Sequence, residues 1–348
     1  MKIEKVKFSE TKDKKTVYSY KLINSKIEIE ILNYGGIIKS INFPDRNGKK
    51  ENIVLSYDNL ESYTKDVTYF GCITGRVAGR IKNGILKINE ENYQLELNNN
   101  KNNLHGGFNA LNNKVWDVVS EEIGNDFLKI VMCYRSPHME NNFPANVEFT
   151  VSYTLRESTL EIDYIGVPDR ETYINLTNHT YFNLSGDVKR DILEQKIFIF
   201  ANEYISVDEE IIPVEILPVM DSVFDLTKGR KFKEIFNSQE NQIKIVGNGI
   251  DHGFILDKKH IKKCRCEDIE SGRILEIETN QPVVVLYTGN YLENTDVLAN
   301  NIKPHKYYGF CLETQDYPDI KNLIEEKMEI YNSSNPYIQK TKYSFKIN

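Results

Sequence analysis

The clearest structural pattern in the sequence lies in Thr177-Asn178-His179-Thr180-Tyr181-Phe182-Asn183-Leu184-Ser185-Gly186. Extended back to Tyr173, its odd positions are polar or amphipathic and its even positions are mostly apolar. This period of two predicts a β-strand with one face on a core and the other face, with His179, on a wet surface. A row of Asn, Thr, His and Tyr in place of Lys and Glu favours a surface that holds a polyhydroxylated ligand. A lone strand histidine is equally typical of a structural residue.

The size and charge of the chain limit the number of domains and the kinds of partner that we expect. Its 348 residues are enough for two ordinary domains, but all-β domains also reach this length as single units. Hydrophobic residues form 40% of it and charged residues 27%, which is typical of a soluble globular protein. A net charge of −7 argues against nucleic acid as the main partner.

Two further features predict a cytoplasmic protein that has no membrane partner. The first residues contain no apolar signal segment, and no apolar run reaches membrane-spanning length. The cysteines are odd in number and scattered, which indicates reduced thiols; they are Cys72, Cys133, Cys264, Cys266 and Cys311. No second Cys or His pair accompanies Cys264 and Cys266 at zinc-like spacing, so we expect no metal there.

Short alternating segments dominate the rest of the chain. Residues 86–97 and 151–164 each contain two alternating runs around a polar turn, which predicts two hairpins. Helical patterning is limited to single turns at 58–63 and 233–236, so alternating βαβ units are excluded. We therefore predict an all-β protein, a single antiparallel β-sandwich domain over residues 1–348, with long loops that carry the site.

Several catalytic motifs are missing from the sequence. It contains no G-x-G-x-x-G, P-loop, H-E-x-x-H or G-x-S-x-G, which excludes simple nucleotide-binding, zincin and serine-hydrolase functions. Two glycine-rich segments remain as candidates. Arg80 lies among small residues where the backbone can approach a ligand, although an ion pair is an equal alternative, whereas Arg76 is more typical of a structural residue. Gly106-Gly107 allow a sharp turn that exposes the imidazole of His105, unless that histidine only caps the turn.

Two carboxylates complete the set of candidates. Asp251 precedes the apparent strand 254–256, where it can accept two sugar hydroxyls or simply cap a solvated turn; its neighbour His252 faces the other way and is predicted to be structural. Glu313 emerges from a nearly uncharged strand, and desolvation there raises the pKa of a carboxyl towards neutrality. The alternative is a salt bridge to an arginine such as Arg80.

A histidine and a glutamate on two strands suit the ring opening of a sugar hemiacetal. Glu313 can take the proton of the anomeric hydroxyl while His179 gives one to the ring oxygen. Rotation about the C1–C2 bond and reclosure then invert C1. This reaction needs no metal, nucleotide or covalent intermediate, so we expect no cofactor.

The chain resembles the aldose 1-epimerase (galactose mutarotase) family. The resemblance lies in motifs that run in order along nearly the whole chain: Asn33-Tyr34-Gly35-Gly36, Gly75-Arg76-Val77-Ala78-Gly79-Arg80-Ile81, Leu104-His105-Gly106-Gly107, Thr177-Asn178-His179-Thr180-Tyr181-Phe182-Asn183-Leu184, Asp251-His252 with Phe254, and Leu312-Glu313-Thr314-Gln315. It implies a β-sandwich of the galactose mutarotase-like supersandwich type, with an open cleft on one sheet face.

The resemblance also implies roles for individual residues. His179 would be the general acid and Glu313 the general base, and His105 would be a second catalytic imidazole near the ring oxygen. All three would contact the substrate, and Arg80 and Asp251 would grip hydroxyls. The chain departs from the family in having Gly79 where Asn is frequent and Val285 where some members have Gln. Both departures remove a hydroxyl contact and bear on the choice between galactose and glucose.

Three functions follow from these observations. The first is a mutarotase for free aldohexoses, acting on a small-molecule aldose as a monomer or weak homodimer. The second is an epimerase of the same fold for a sugar phosphate or another aldose, which would need clustered cations near the cleft. The third is a non-catalytic sugar-binding β-domain, which would not need an acidic Glu313 opposite His179.

Overall fold

Antiparallel strands make up most of the computed structural model, which describes residues 1–324 and 328–348. Up to residue 104 the strands are β1 Lys2–Glu10, β2 Thr16–Ile23, β3 Glu28–Leu32, β4 Ile38–Pro44, β5 Lys50–Asn52, β6 Ile73–Thr74, β7 Arg80–Ile81, β8 Ile85–Ile88, β9 Glu91–Gln94 and β10 Asn103–Leu104. The next are β11 Asp117–Ile123, β12 Phe127–Ser136, β13 Val147–Arg156, β14 Thr159–Pro168, β15 Thr177–Asn178, β16 Tyr181–Phe182, β17 Lys196–Ile199, β18 Ala201–Val207 and β19 Pro213–Pro218. The last are β20 Arg230–Lys231, β21 Asp251–Leu256, β22 Lys262–Glu267, β23 Arg273–Thr279, β24 Val283–Tyr287, β25 Phe310–Gln315 and β26 Tyr337–Ile347.

Helices are few and short. They are α1 Leu60–Lys65, α2 Phe232–Phe236, α3 Asn241–Ile245 and α4 Ile320–Leu323, with 3-10 turns at Lys82–Gly84, Leu111–Asn113, Glu140–Asn142, Leu292–Asn294 and Ala299–Asn301. The longest described helix, α1, has six residues, which confirms that the sequence sustains no long helix. None of the helices in the described ranges has the length and apolar character needed to cross a membrane.

Three large sheets organise the molecule. A nine-stranded sheet has the order β11-β12-β13-β14-β26-β23-β22-β17-β20, and a six-stranded sheet has the order β16-β25-β24-β21-β18-β19. The third large sheet is a five-stranded meander of β1 to β5. The pairs β10-β7, β15-β6 and β8-β9 form small two-stranded sheets. All named strand pairs are antiparallel, so the predicted all-β antiparallel sandwich is confirmed.

Both predicted hairpins are present. Strands β8 and β9 pair around Asn89-Glu90, and strands β13 and β14 pair around Glu157-Ser158 in register from Val147↔Pro168 to Arg156↔Thr159. Asn89 and Glu157 adopt positive φ values of 53° and 49°, as two-residue hairpin turns require. The second hairpin is longer than predicted because alternation alone does not mark where pairing ends.

The core lies between the nine-stranded and six-stranded sheets. The even positions of β25, Phe310 and Leu312, are buried in it, and the hydroxyl of Thr314 lies 2.7 Å from that of Thr341 on β26. Phe182 packs between the sheets, with its ring centroid 5.7 Å from that of Tyr343. The odd positions of β25 therefore point away from the core, because side chains alternate along a strand.

The predicted continuous strand at 173–184 is wrong, whereas its predicted wet face is present at His179 and Tyr181, which line an open cleft. The named strands in this segment are limited to β15 and β16, with a break at His179-Thr180, and an isolated bridge joins Asn175 to Val77. Every residue from 173 to 185 is buried. The polar residues bond to covering loops: Asn178 Nδ2 donates to Gly71 O over 2.9 Å, and Asn183 Nδ2 donates to Tyr308 O over 2.8 Å. Buried amides at both an even and an odd position thus bond to the backbone of covering loops.

Candidate active site

A cleft opens on the face of the six-stranded sheet that points away from the core. Its internal volume is about 250 Å³, just below the range of roughly 300–1,000 Å³ found for drug-sized ligands. This volume suits a molecule of monosaccharide size. The five residues predicted from the sequence all line the cleft: Arg80, His105, His179, Asp251 and Glu313.

Each of these side chains is placed by a different element. Glu313 lies on β25, directly opposite Val285 of β24, and Asp251 is the first residue of β21 rather than a loop residue as predicted. His179 occupies the break between β15 and β16. Arg80 on β7 pairs with Leu104 on β10, so that His105 follows directly at the end of this small sheet.

His179 and Glu313 lie next to each other in the wall of the cleft. Nε2 of His179 lies 3.5 Å from Oε1 of Glu313, and both side chains are almost fully buried. On the other side of the ring, Nδ1 of His179 lies 3.5 Å from the thiol sulfur of Cys311. When the Cys311 thiol donates to Nδ1, Nε2 carries the ring proton and points it towards the cleft.

Burial sets the protonation of this pair. It lowers the pKa of His179 to about 4, because an imidazolium is poorly solvated there. Burial also raises the pKa of Glu313 well above its ordinary value, and the nearby Asp251 raises it further while Arg80 opposes the shift. The pair therefore favours one shared proton, which can be taken up at one group and released at the other.

His105 is a second imidazole beside the pair. The predicted exposed position is wrong, since only 7% of the residue is exposed. Its Nδ1 accepts a hydrogen bond of 3.2 Å from the backbone N–H of Gly79, which leaves the proton on Nε2. The pKa of His105 is lowered by burial and by the neighbouring His179 and Arg80, so the neutral ring is a hydrogen-bond donor.

Arg80 and Asp251 form the polar end of the cleft. Nη1 of Arg80 lies 3.9 Å from Oδ2 of Asp251, and Nε donates to Asn99 Oδ1 over 3.1 Å. Within the described residues, no ion pair shorter than 4 Å joins Arg80 to Glu313, so the alternative of a direct salt bridge is not what the structure shows. Arg80 is also the one arginine or lysine among the described lining residues, which is too few for a phosphate clamp.

The spacing of His105, His179 and Glu313 also resembles that of a metal-binding site. Ligand atoms of His105, His179 and Glu313 lie within 4.8 Å of one another, a spacing that a divalent cation can bridge. The same atoms are those that the proton transfer would use. That the reaction needs no metal stays a prediction from the sequence.

Two neighbouring residues are structural, as predicted. Arg76 is buried and donates to Ser136 Oγ and to the carbonyl oxygens of Pro137 and Pro144. His252 is buried on the far side of β21, and its Nε2 lies 2.9 Å from Gln242 Oε1. Both side chains are held by protein partners.

Sequence reasoning did not single out other residues that line the cleft or touch His179 and Glu313. Cys311 contacts His179, Gln315 follows Glu313 on the same face of β25, and Tyr69 packs on His105 with ring centroids 4.7 Å apart. Because side chains alternate along β25, Cys311 and Gln315 lie on the same face as Glu313. This period of two was a sufficient signal to find Cys311 and Gln315. Nothing local in the sequence marks Tyr69.

Comparisons with known proteins agree with the earlier resemblance. The family model described as aldose 1-epimerase matches residues 18–344. The galactose mutarotase of Mus musculus is 34% identical over 335 residues, which covers 95% of each chain, and that of Homo sapiens is 36% identical over 311 residues, covering 88% of this chain and 87% of its own. The crystal structure of galactose 1-epimerase from Lactobacillus acidophilus NCFM superimposes with a TM-score of 0.88 at 28% identity, covering 100% of this chain and 99% of that one.

Proposed function

The chain belongs to the aldose 1-epimerase family and is an isomerase of small aldoses, and we propose that its substrates are free aldohexoses such as galactose and glucose. The names of its relatives, galactose mutarotases, support galactose. The reaction interconverts the α and β anomers by opening and reclosing the pyranose ring. The observation that carries the proposal is the 3.5 Å approach of the His179 imidazole to the Glu313 carboxylate inside the cleft.

The proton transfers follow from the positions of these two groups. In the reactive form of the pair, the shared proton lies on His179 and Glu313 is ionised. Glu313 then takes the proton of the C1 hydroxyl while the His179 imidazolium gives its proton to the ring oxygen, and the C1–O5 bond breaks to leave the free aldehyde and a C5 hydroxyl. Rotation about the C1–C2 bond presents the other face of the carbonyl. The C5 hydroxyl then attacks C1, returning its proton to His179, while Glu313 returns a proton to the carbonyl oxygen. Both groups end as they began.

Three further residues hold the sugar in this scheme. The neutral His105 donates a hydrogen bond from Nε2 towards the ring oxygen. This hydrogen bond stabilises the negative charge that develops on the ring oxygen as the ring opens. Arg80 donates to hydroxyls, and Asp251 accepts from them. Because all of these groups are buried and fixed, little reorganisation is needed when the ring opens.

Polarimetry on fresh α-galactose and α-glucose tests the proposal. We expect the protein to speed the approach to the equilibrium rotation, and Glu313→Gln or His179→Asn to lower the rate by at least about 100-fold, the lower bound for loss of a positioned acid or base. His305→Asn, at an exposed histidine whose imidazole is 64% accessible, is the matched control and should keep the wild-type rate. Wild-type activity in either cleft variant would refute the assignment, and sugar binding without any acceleration would favour a binding domain.

A further inference from the structure

Gln315 has an unusual position in the cleft. Gln315 is fully buried, and neither Oε1 nor Nε2 of its side-chain amide has a hydrogen-bond partner in the protein. It lies two residues after Glu313 on the same face of β25, opposite Val283 of β24, and it lines the cleft. A buried amide without a partner is costly, so native structures retain few of them.

The surroundings of this amide explain why no protein group satisfies it. Gly79 has no side chain, and a Cβ built there would lie 3.7 Å from Nε2 of Gln315, so any polar residue at that position would approach the amide. On the neighbouring strand, Val283 and Val285 offer only methyl groups, and Gly253 follows across the sheet. The amide is thus bordered by residues that give it no hydrogen bond.

The chemistry of an amide differs from that of the other polar groups here. Arg80 can only donate, and an ionised Asp251 can only accept, whereas Gln315 offers two donor protons and an acceptor oxygen on one rigid plane. A pair of neighbouring hydroxyls, one donating and one accepting, complements such a plane. Aldopyranoses carry hydroxyls on adjacent carbons, which matches this requirement.

We propose that Gln315 is a substrate-contacting residue whose side-chain amide holds two neighbouring non-anomeric hydroxyls of the aldose. Residues two apart on a strand are separated by about 7 Å, so Gln315 reaches hydroxyls other than the one that reacts at Glu313. This inference rests on the proposed mutarotase function. It adds a residue that contacts sugar hydroxyls in a chain whose Gly79 and Val285 cannot make the contacts of the Asn and Gln found in other family members.

The test combines variants of the residue with a panel of monodeoxy sugars. Gln315→Met keeps the length of the side chain and removes its polarity. For the wild type, we expect that deleting one of the two contacted hydroxyls raises KM about 10-fold, the effect of one unpaired buried group, with kcat changed little. In Gln315→Met the same deletion should have no further effect on KM, while deletion of other hydroxyls should cost as much as in the wild type.

Stability separates this role from a structural one. Because the wild-type amide has no partner, Gln315→Met should unfold at the wild-type temperature or above it. Gln315→Leu provides a second apolar variant with the same expectation. Gln281→Met, at a half-buried glutamine outside the cleft, is the matched control and should keep wild-type kinetics.

Two outcomes would overturn the inference. A parallel loss of kcat on all sugars with a lowered unfolding temperature would show that Gln315 only supports the fold. Wild-type KM values for Gln315→Met on every sugar would show that the amide does not touch the substrate, while the mutarotase function stands. A wild-type protein that accelerates no aldose would overturn both proposals together.

Discussion

At the scale of single residues, Glu313 and His179 are governed by one physical effect. Burial disfavours the charged form of both, which raises the pKa of the carboxyl and lowers that of the imidazole to about 4. Because they lie 3.5 Å apart, the two groups titrate as a pair that holds one proton over a broad pH range. A pair with one proton always has both an acid and a base available.

The pH dependence of kcat/KM should therefore be bell-shaped. Activity falls as the pH drops towards the lowered pKa of His179, about 4, because the pair takes up a second proton and has no base. Activity also falls as the pH rises through the raised pKa of Glu313, because the pair then has no acid. Polarimetric rates between about pH 3 and pH 10 measure both limbs. A profile that stays flat above the ordinary carboxyl pKa would contradict the shared proton.

At the scale of elements, the loop after β10 determines the position of His105. Gly106 adopts a φ of 94°, and a Cβ there would lie 2.2 Å from the carbonyl oxygen of Gly75, too close for any side chain. The backbone of His105 is anchored next to it, since its N–H donates to Gly79 O over 3.0 Å. The close contact between these two loops thus fixes the imidazole.

We expect Gly106→Ala to displace this loop and to lower kcat/KM at least about 10-fold, because misplacing a positioning group by about 1 Å costs this much or more. Thermal unfolding and polarimetry on the same sample measure both effects. Gly48→Ala is the matched control: its φ is 83°, but nothing lies within 4 Å of its Cβ. It should lose only the stability due to a left-handed backbone, so equal activity losses in the two variants would argue against the clash.

Elements also show what the sequence can predict. The hairpins β8-β9 and β13-β14 were found because alternation and turn residues are local signals. The segment 173–184 was misread because its burial depends on Gly71 and Tyr308, more than 100 residues away, whose carbonyls bond its asparagines. In the same way, alternation gave the face of Glu313, but the residues alone paired it only loosely with His179, and the assignment of acid and base rested on the family resemblance.

At the scale of the whole molecule, a buried ionic cluster joins distant parts of the chain. Arg273 on β23 is fully buried and donates to Glu51 on β5, 222 residues away, over 3.0 Å. Nζ of Lys49 and of Lys189 each lie 2.7 Å from the same carboxylate. Burial alone would raise the pKa of Glu51, but the hydrogen bonds from Lys189, Lys49 and Arg273 outweigh it and lower the pKa to about 2.

Glu51→Gln should destabilise the protein by about 3–5 kcal/mol, since it leaves a buried guanidinium without its charge partner. For the wild type, the stability from Glu51 is present above its unfolded pKa of 4.5 and is lost as the pH falls towards about 2. Denaturant unfolding at neutral and acidic pH measures both effects. The control is Glu194→Gln, at an exposed carboxylate that also contacts two lysines, and its unfolding should be nearly unchanged. A similar small change in Glu51→Gln would contradict this role.

The number of domains is also a property of the whole molecule. That residues 1–348 form a single domain stays a prediction. It is supported by one contiguous cluster of buried residues that includes Ile29 of the five-stranded sheet, Phe310 of the six-stranded sheet and Tyr343 of the nine-stranded sheet.

The central place of β26 in the nine-stranded sheet has a consequence for biosynthesis. Thr159 of β14 meets Ser344 of β26, 185 residues later in the chain. A ribosome delivers β11 to β14 long before this partner exists, and the nascent meander meanwhile exposes a row of open backbone donors and acceptors. Closing so long a loop is slow. Until β26 has left the ribosome, the edge of β14 is therefore open to pairing with the strands of neighbouring chains.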